Sequence, residues 1–110
     1  MISPEDFFKV DIRSGTIVKA EEFPKAKKPA YKVWVDFGDQ IGIKQTSAQI
    51  TALYEVTELP GRKVAGVINL PIKNIAGFVS EFLLLGFEVD RKIVYLINVD
   101  LNVPNGTKLS

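Results

Sequence analysis

The sequence predicts an all-β fold with one short helix after the third strand, closed into a small barrel of five strands. Three observations predict it. Apolar and polar residues alternate in short runs. The clearest runs from Tyr31 to Phe37, where Tyr31, Val33, Val35 and Phe37 share one face and Lys32, Trp34 and Asp36 the other. Gly15 interrupts the long run Val10–Phe23, and a glycine inside a strand marks a bulge or bend of the kind that lets a small sheet curl. There is no repeat of helix alternating with strand, which argues against a parallel doubly wound sheet.

The elements follow in chain order. Ser3-Pro4-Glu5-Asp6 has the form of a helix start: a capping serine, a proline at the first helical position, and two acids at the positive end of the helix dipole. Phe7, Phe8 and Val10 give this segment an apolar side to bury, against one end of the barrel or against a second copy of the chain. Residues 1–7 are therefore expected to pack on the barrel or a dimer seam, with 8–110 forming the domain. After the strand Val10–Phe23, the loop Pro24–Pro29 (PKAKKP) is bounded by prolines and holds three lysines that must face solvent. Gly38-Asp39-Gln40 turns the chain into a strand from Ile41 to Thr46. Ser47 then caps an expected helix over AQITALYE, with Ile50, Leu53 and Tyr54 on one side. Pro60-Gly61 and Asn105-Gly106 mark turns, and Ile93–Val99 reads as a last strand.

The stretch Val64–Gly86 carries the sharpest signal. Two apolar runs, Val64–Leu70 and Phe78–Leu85, flank a connection holding Pro71, Asn74 and Gly77. The second run is apolar on both parities: Phe78, Phe82 and Leu84 on one, Val79, Leu83 and Leu85 on the other, with Ser80 and Glu81 as the polar members. A sheet with one wet face should alternate, so this strand needs cover on both sides. In a chain of 110 residues the natural cover is a second copy, and a homodimer is expected. Glu81 in such a run is expected to be satisfied by backbone amides or by a partner's side chain at the seam, because an unpaired buried charge is costly.

Composition excludes more than it assigns. There is no cysteine and no histidine, which removes thiol chemistry, disulfides, the commonest metal ligand and the usual proton carrier near neutral pH. No glycine-rich phosphate cradle or carboxylate pair at a catalytic spacing is present, so the chain reads as a binding protein without cofactor or metal, not an enzyme. No segment approaches the roughly 18 apolar residues of a membrane span. The acidic start MISPEDFF lacks a basic signal-peptide region, so no membrane insertion and a cytoplasmic location are expected. The net charge is only +1, yet Arg13, Lys19, Lys25, Lys27, Lys28, Lys32 and Lys44 gather in the first half of the chain, a basic face able to meet polyanions.

Short strands, a bulge glycine and one helix after the third strand suit the OB-fold, a five-stranded Greek-key barrel whose second and third strands form the usual binding face. Here that face would display Lys32, Trp34 and Lys44, with Arg13 and Lys19 on the neighbouring strand. Trp34, on the polar side of its strand, is placed to stack on a base or to pack into a partner.

Several segments also resemble a known family. VDIRSGTIVKAEEFPKAKKPAYKVWVDFG is similar to the opening of the tRNA-binding domain of endothelial-monocyte-activating polypeptide II and of some methionyl-tRNA and phenylalanyl-tRNA synthetases. IGIKQTSAQIT, INLPIKNIAGFVSEFLLLG and VPNGTK resemble the freestanding CsaA-type export chaperones, so that the likeness runs from about Phe8 to Lys108. It implies an OB-fold homodimer that binds tRNA, and unfolded or pre-export polypeptides together with export machinery. In tRNA-binding relatives a Ser-x-x-Met element matches Ser80–Leu83. This chain keeps Ser80 and carries Leu83 in place of the methionine, and Ile72 stands where CsaA-type chains often have a second proline.

Two readings of function result. The first is a dimeric export-related chaperone whose apolar groove, at or near the seam, is formed by Trp34, Val79, Glu81, Leu83 and Leu85. The second is a tRNA-binding protein that uses Arg13, Lys19, Lys27, Lys28, Lys32, Trp34, Lys44 and Ser80.

Overall fold

The computed structural model describes residues 1–110. Tyr31–Asp36 forms the strand β2, and its alternation is realised as predicted: Tyr31, Val33 and Val35, with Phe37 just beyond, are buried, while Lys32, Trp34 and Asp36 are half-exposed. It lies between β1 (Ile12–Glu22) and β3 (Ile43–Ala48), antiparallel to both. On the other side of β1 come β4 (Lys63–Val67) and, after two short pieces, β7 (Leu83–Leu84), giving a five-stranded sheet in the order β3-β2-β1-β4-β7. The two pieces are β5 (Lys73–Ile75) and β6 (Phe78–Ser80), a hairpin of their own; β8 (Gly86–Val89) and β9 (Ile93–Leu96) form another.

The sheet curls until its ends meet. The Glu81 amide donates to the Gln45 carbonyl at 2.8 Å, joining β3 to the segment between β6 and β7 and nearly closing an OB-type barrel. Ile17, Val33, Val35, Phe37, Leu59 and Val64 fill it, all essentially without solvent exposure. Every buried side-chain polar atom has a hydrogen-bond partner.

Gly15 plays a different part from the one expected. It pairs regularly with Val64, and the break in register falls instead between Ile17 and Lys19, which skips Val18. Gly15 is needed for space: a Cβ there would stand 2.5 Å from Val35 Cγ1 and 3.0 Å from the Asp36 carbonyl and Phe37. The bulge at Val18 then exchanges the two faces of β1. Ile17 is buried opposite Val35, but Lys19 pairs with Trp34 and joins the outer face, as a one-residue shift in a period-two element requires.

The short helix after the third strand is a single 3-10 turn at Val56–Glu58, where Glu58 Oε1 accepts the Glu55 amide at 2.8 Å. The helix expected from Ser47 does not form. β3 continues through Ala48 because that residue pairs with Tyr31, and an eight-residue helix is marginal on its own. One i to i−4 bond survives, from Tyr54 N to the Ile50 carbonyl, and Ile50 and Tyr54 are buried in the barrel instead.

The first helix, α1 (Pro4–Phe7), is capped by Ser3, whose Oγ accepts the Asp6 amide at 3.1 Å. It buries no residue, and Phe7, Phe8 and Val10 stay substantially exposed, so it does not plug the barrel end. The run Phe78–Leu85 is two short strands broken at Glu81 and Phe82, yet its parity holds: Phe82 is buried, Leu84 packs on the core and Leu83 is 49% exposed. The last strand ends at Leu96, short of the expected Val99, and it pairs with β8, a strand not expected from the sequence.

Candidate functional site

The outer face of β1 and β2 carries a ladder of aromatic rings and ammonium groups. Because β1 bulges at Val18, Lys19 stands beside Trp34, with its Nζ 4.6 Å from the indole centroid. Trp34 meets Phe78 edge-on at 5.8 Å, and Phe78 meets Phe23 edge-on at 5.6 Å. Lys32 Nζ lies 4.9 Å from the centre of the Phe23 ring and 5.1 Å from that of Phe78. Each such cation–ring contact is worth about 0.5–1 kcal/mol at an exposed site, enough to bias where a lysine head sits.

The β5–β6 hairpin delivers Phe78 to this ladder. Its turn uses Ala76 at φ +49° and Gly77 at φ +85°, the paired left-handed conformation that matches strand twist, and Asn74 Oδ1 accepts the Gly77 amide at 2.9 Å. Gln45 then fixes the hairpin to the barrel. Its Nε2 donates to the Val79 carbonyl at 2.9 Å, and its Oε1 accepts the Trp34 indole N–H at 3.2 Å. A cleft of about 410 Å³ opens between Phe23, Phe78, Lys25 and Lys32. A second, of about 470 Å³, lies on the other side of Phe23, under Lys27 and Pro29 and against Tyr31. The arrangement suits a ligand that presents negative charge beside an apolar or flat body.

Tyr31 closes the floor of the second cleft. Its hydroxyl donates to the Tyr54 carbonyl at 2.8 Å, and burial, reinforced by the charges of Glu22, Glu55 and Glu58, raises its pKa above the ordinary tyrosine value.

The structure brings together Lys19, Lys32 and Trp34 and places Lys27 and Lys28 on the exposed neighbouring loop. Three other residues are placed apart. Lys44 is opposite Val35, the barrel-facing parity, and it is Gln45 that stands beside Trp34, so Lys44 does not share the ladder's face. Arg13 is held at the far end of β1: its Nε donates to Asp11 Oδ1 at 2.7 Å, Nη2 to Asp11 Oδ2 at 3.4 Å and Nη1 to the Gly106 carbonyl at 3.0 Å. Ser80 is buried, and its Oγ accepts the Ser47 amide at 3.0 Å. Of the two kinds of partner expected for Glu81, a backbone amide or a second chain's side chain, the structure supplies the backbone one: Oε1 accepts the Gln45 amide at 3.0 Å.

Of the seam candidates, Val79 and Leu85 are half-buried and Leu83 is exposed. Sequence reasoning missed a larger apolar face. In the β8–β9 hairpin Phe87 pairs with Tyr95 and Val89 with Ile93, so all four share one side, on which Phe87 is 69% exposed. The signal was the alternation Phe87-Glu88-Val89 ahead of the charged turn Asp90-Arg91-Lys92. Phe23 and Phe78 carried no such signal, because only folding brings them together.

The chain belongs to the family described as "Putative tRNA binding domain", whose profile matches residues 12–108. It is similar over its whole length to the crystal structure of the chaperone CsaA from Bacillus anthracis, with 44% identity, a TM-score of 0.93 and 99% of that chain covered. The CsaA chaperone protein from Picrophilus torridus gives 44% identity and a TM-score of 0.92, with both chains fully covered. Among curated proteins it is 37% identical over 101 residues to the methionine–tRNA ligase of Methanocaldococcus jannaschii. The match takes in 92% of this chain but only 15% of the ligase. No helix is long and apolar enough to cross a membrane.

Proposed function

We propose that the protein is a polypeptide-binding chaperone of the CsaA type, acting as a homodimer on unfolded or pre-export chains. The observation that carries this reading is the cleft between Phe23, Phe78, Lys25 and Lys32, an apolar floor with a cationic rim beside the half-buried Trp34. The 44% identity to two CsaA chaperones over complete chains supports it. An unfolded segment would lay an apolar side chain on the phenyl rings while its backbone or acidic groups meet the lysines. Dimerisation would use the exposed side of Phe87, Val89, Ile93 and Tyr95, with Leu83 and residues 1–7 as further contacts and the domain proper beginning at residue 8. Export machinery is then the expected recipient of the bound chain, and the cytoplasm the place where it is met.

A second reading is favoured by the cations themselves. Lys19, Lys25, Lys27, Lys28 and Lys32 ring one surface, and the family is one of tRNA-binding domains. Structured RNA would be held through its phosphates, with the two activities sharing the face.

One competition experiment separates them. A fluorescein-labelled, permanently unfolded polypeptide is bound to the protein and tRNA is titrated at low and at high salt. Displacement at low salt only is the expected result: overlapping sites, one ionic and one apolar. Failure of the unfolded polypeptide to bind at either salt would overturn the chaperone reading, and failure of tRNA to displace it at low salt would overturn the shared face.

A further inference from the structure

Residues 104–109 lie along the outer edge of the first half of β1, where β2 no longer pairs. Ser14 N donates to the Thr107 carbonyl at 3.0 Å, Gly106 N to the Ser14 carbonyl at 2.8 Å, and Leu109 N to the Ile12 carbonyl at 2.9 Å. The Ser14 hydroxyl adds a bond to the Pro104 carbonyl at 2.8 Å and accepts the Thr107 amide at 3.1 Å. Within this segment Asn105 precedes Gly106, and the side-chain oxygen of Asn105 accepts from Thr16 Oγ1 at 2.8 Å and from Lys63 Nζ at 2.7 Å.

We propose that Asn105 is a site of spontaneous deamidation, and that docking of residues 104–109 on β1 is the gate that holds the reaction back. The chain has five asparagines; Asn69, Asn74, Asn98 and Asn102 are followed by Leu, Ile, Val and Val, and only Asn105 by glycine. The reaction needs the backbone nitrogen of the next residue to attack the side-chain carbonyl carbon, and a branched neighbour obstructs that approach where glycine does not.

The chemistry balances with water alone. Gly106 N gives its proton to solvent and bonds to Asn105 Cγ, placing negative charge on Oδ1. Nδ2 takes a proton from solvent, and collapse of the intermediate breaks the Cγ–Nδ2 bond, expels ammonia and leaves a five-membered imide. Water then opens the ring on either side, giving aspartate or the isoaspartyl isomer.

The electrophile is already assisted. An ammonium and a hydroxyl point at the oxygen on which charge develops, the arrangement that stabilises such an intermediate. The nucleophile is withheld, because the Gly106 N–H is committed to Ser14 and cannot turn toward its neighbour's side chain. Attack therefore waits for the segment to lift.

The two products differ in consequence. Aspartate keeps the acceptor atom and gives Lys63 a charged partner. Isoaspartate adds a backbone atom just before Gly106, which carries the Gly106 N–H out of register with the Ser14 carbonyl that it bonds. That chain cannot dock again, and the freed strand edge of β1 stays open.

Wild-type protein is incubated in mildly alkaline buffer, folded or in denaturing urea, and the peptide holding Asn105 is followed by mass spectrometry and isoaspartate detection. The folded protein is expected to react at least about tenfold more slowly, since reaction runs through local opening. Ser14→Ala, which removes two of the docking bonds and spares the Gly106 to Ser14 carbonyl bond, is expected to quicken the folded-state rate several-fold. Equal rates in the folded and urea-unfolded wild type would overturn the gate, as would Ser14→Ala reacting no faster than wild type while folded. Modification confined to the other four asparagines would overturn the site. If Ser14→Ala does not fold, the wild-type comparison still decides.

Discussion

The Glu81 carboxylate accepts the backbone N–H of Gln45 at 3.0 Å, while the Gln45 carbonyl accepts the backbone N–H of Glu81 at 2.8 Å. A side chain thus replaces one main-chain group in what would otherwise be a strand pair, and the barrel closes there. Ser80 and Thr46 extend the same device. Ser80 Oγ accepts the Ser47 amide, and Thr46 Oγ1 donates to the Phe82 carbonyl at 2.7 Å. The aromatic ladder hangs from this seam through Gln45.

Removing the carboxylate should therefore loosen the barrel. Glu81→Ala leaves the Gln45 amide without its acceptor and is expected to cost about 1.5–3 kcal/mol in urea unfolding, the range for a bond to a charged group. Glu81→Gln keeps an acceptor oxygen and should recover at least half of that loss. Equal losses for both variants would show that the hydrogen bond is not what Glu81 supplies.

Tyr31 should make the protein sensitive to alkali. In the unfolded chain its phenol ionises at about pH 10, whereas burial, then Glu22, Glu55 and Glu58, hold the proton on to higher pH in the folded chain. Between those values the folded state binds more protons, so stability falls as pH rises. The contribution is whole below about pH 10 and is lost as pH climbs through the folded value. Tyr31→Phe, which leaves the Tyr54 carbonyl without its donor, should be about 1 kcal/mol less stable at neutral pH. The gap between wild type and variant should narrow in alkali, as read by urea unfolding at both pH values.

The lysines divide by face. Reversing Lys27 and Lys28 together to glutamate should weaken tRNA binding and flatten the plot of log affinity against log salt by about 1.5 units, the loss of two phosphate contacts. Lys44→Gln should leave that slope unchanged, since Lys44 lies opposite Val35 and away from Trp34. Filter binding across a salt series measures both, and a flattened slope in Lys44→Gln would place that residue in the interface.

In the proposed homodimer, Leu83→Glu and Phe87→Asp should each shift the protein to monomer in sedimentation equilibrium while leaving the circular dichroism spectrum unchanged, because both side chains are exposed in the single chain. Leu85→Lys is a poorer probe, being half-buried in a strand link whose amide bonds Ala65 and whose carbonyl accepts from Ile97. A dimer that survives both exposed-site variants would remove this face from the seam.

Local pattern by itself determined much of this protein. The alternation Tyr31–Phe37, the capping of α1 by Ser3, the core parity of Phe82 and Leu84, and the need of Glu81 for some hydrogen-bond partner are all readable from neighbouring residues. Side-chain period and capping chemistry act over a few positions, so the chain states them directly. The OB-type barrel was legible in the short alternating strands, although its bulge falls at Val18 and not at Gly15, and the expected helix after the third strand is one 3-10 turn.

Tertiary structure alone decided where the faces fall. The slip at Val18 turns Lys19 outward, and pairing with Val35 turns Lys44 away. Pairing with Tyr31 draws Ala48 into a strand that local propensity assigned to a helix. Arg13 is claimed by Asp11 and Gly106, and Phe23 meets Phe78 only once the hairpin is laid across the barrel. Register and long-range contact fix these outcomes, and a single strand carries no record of the partner against which its register will be set.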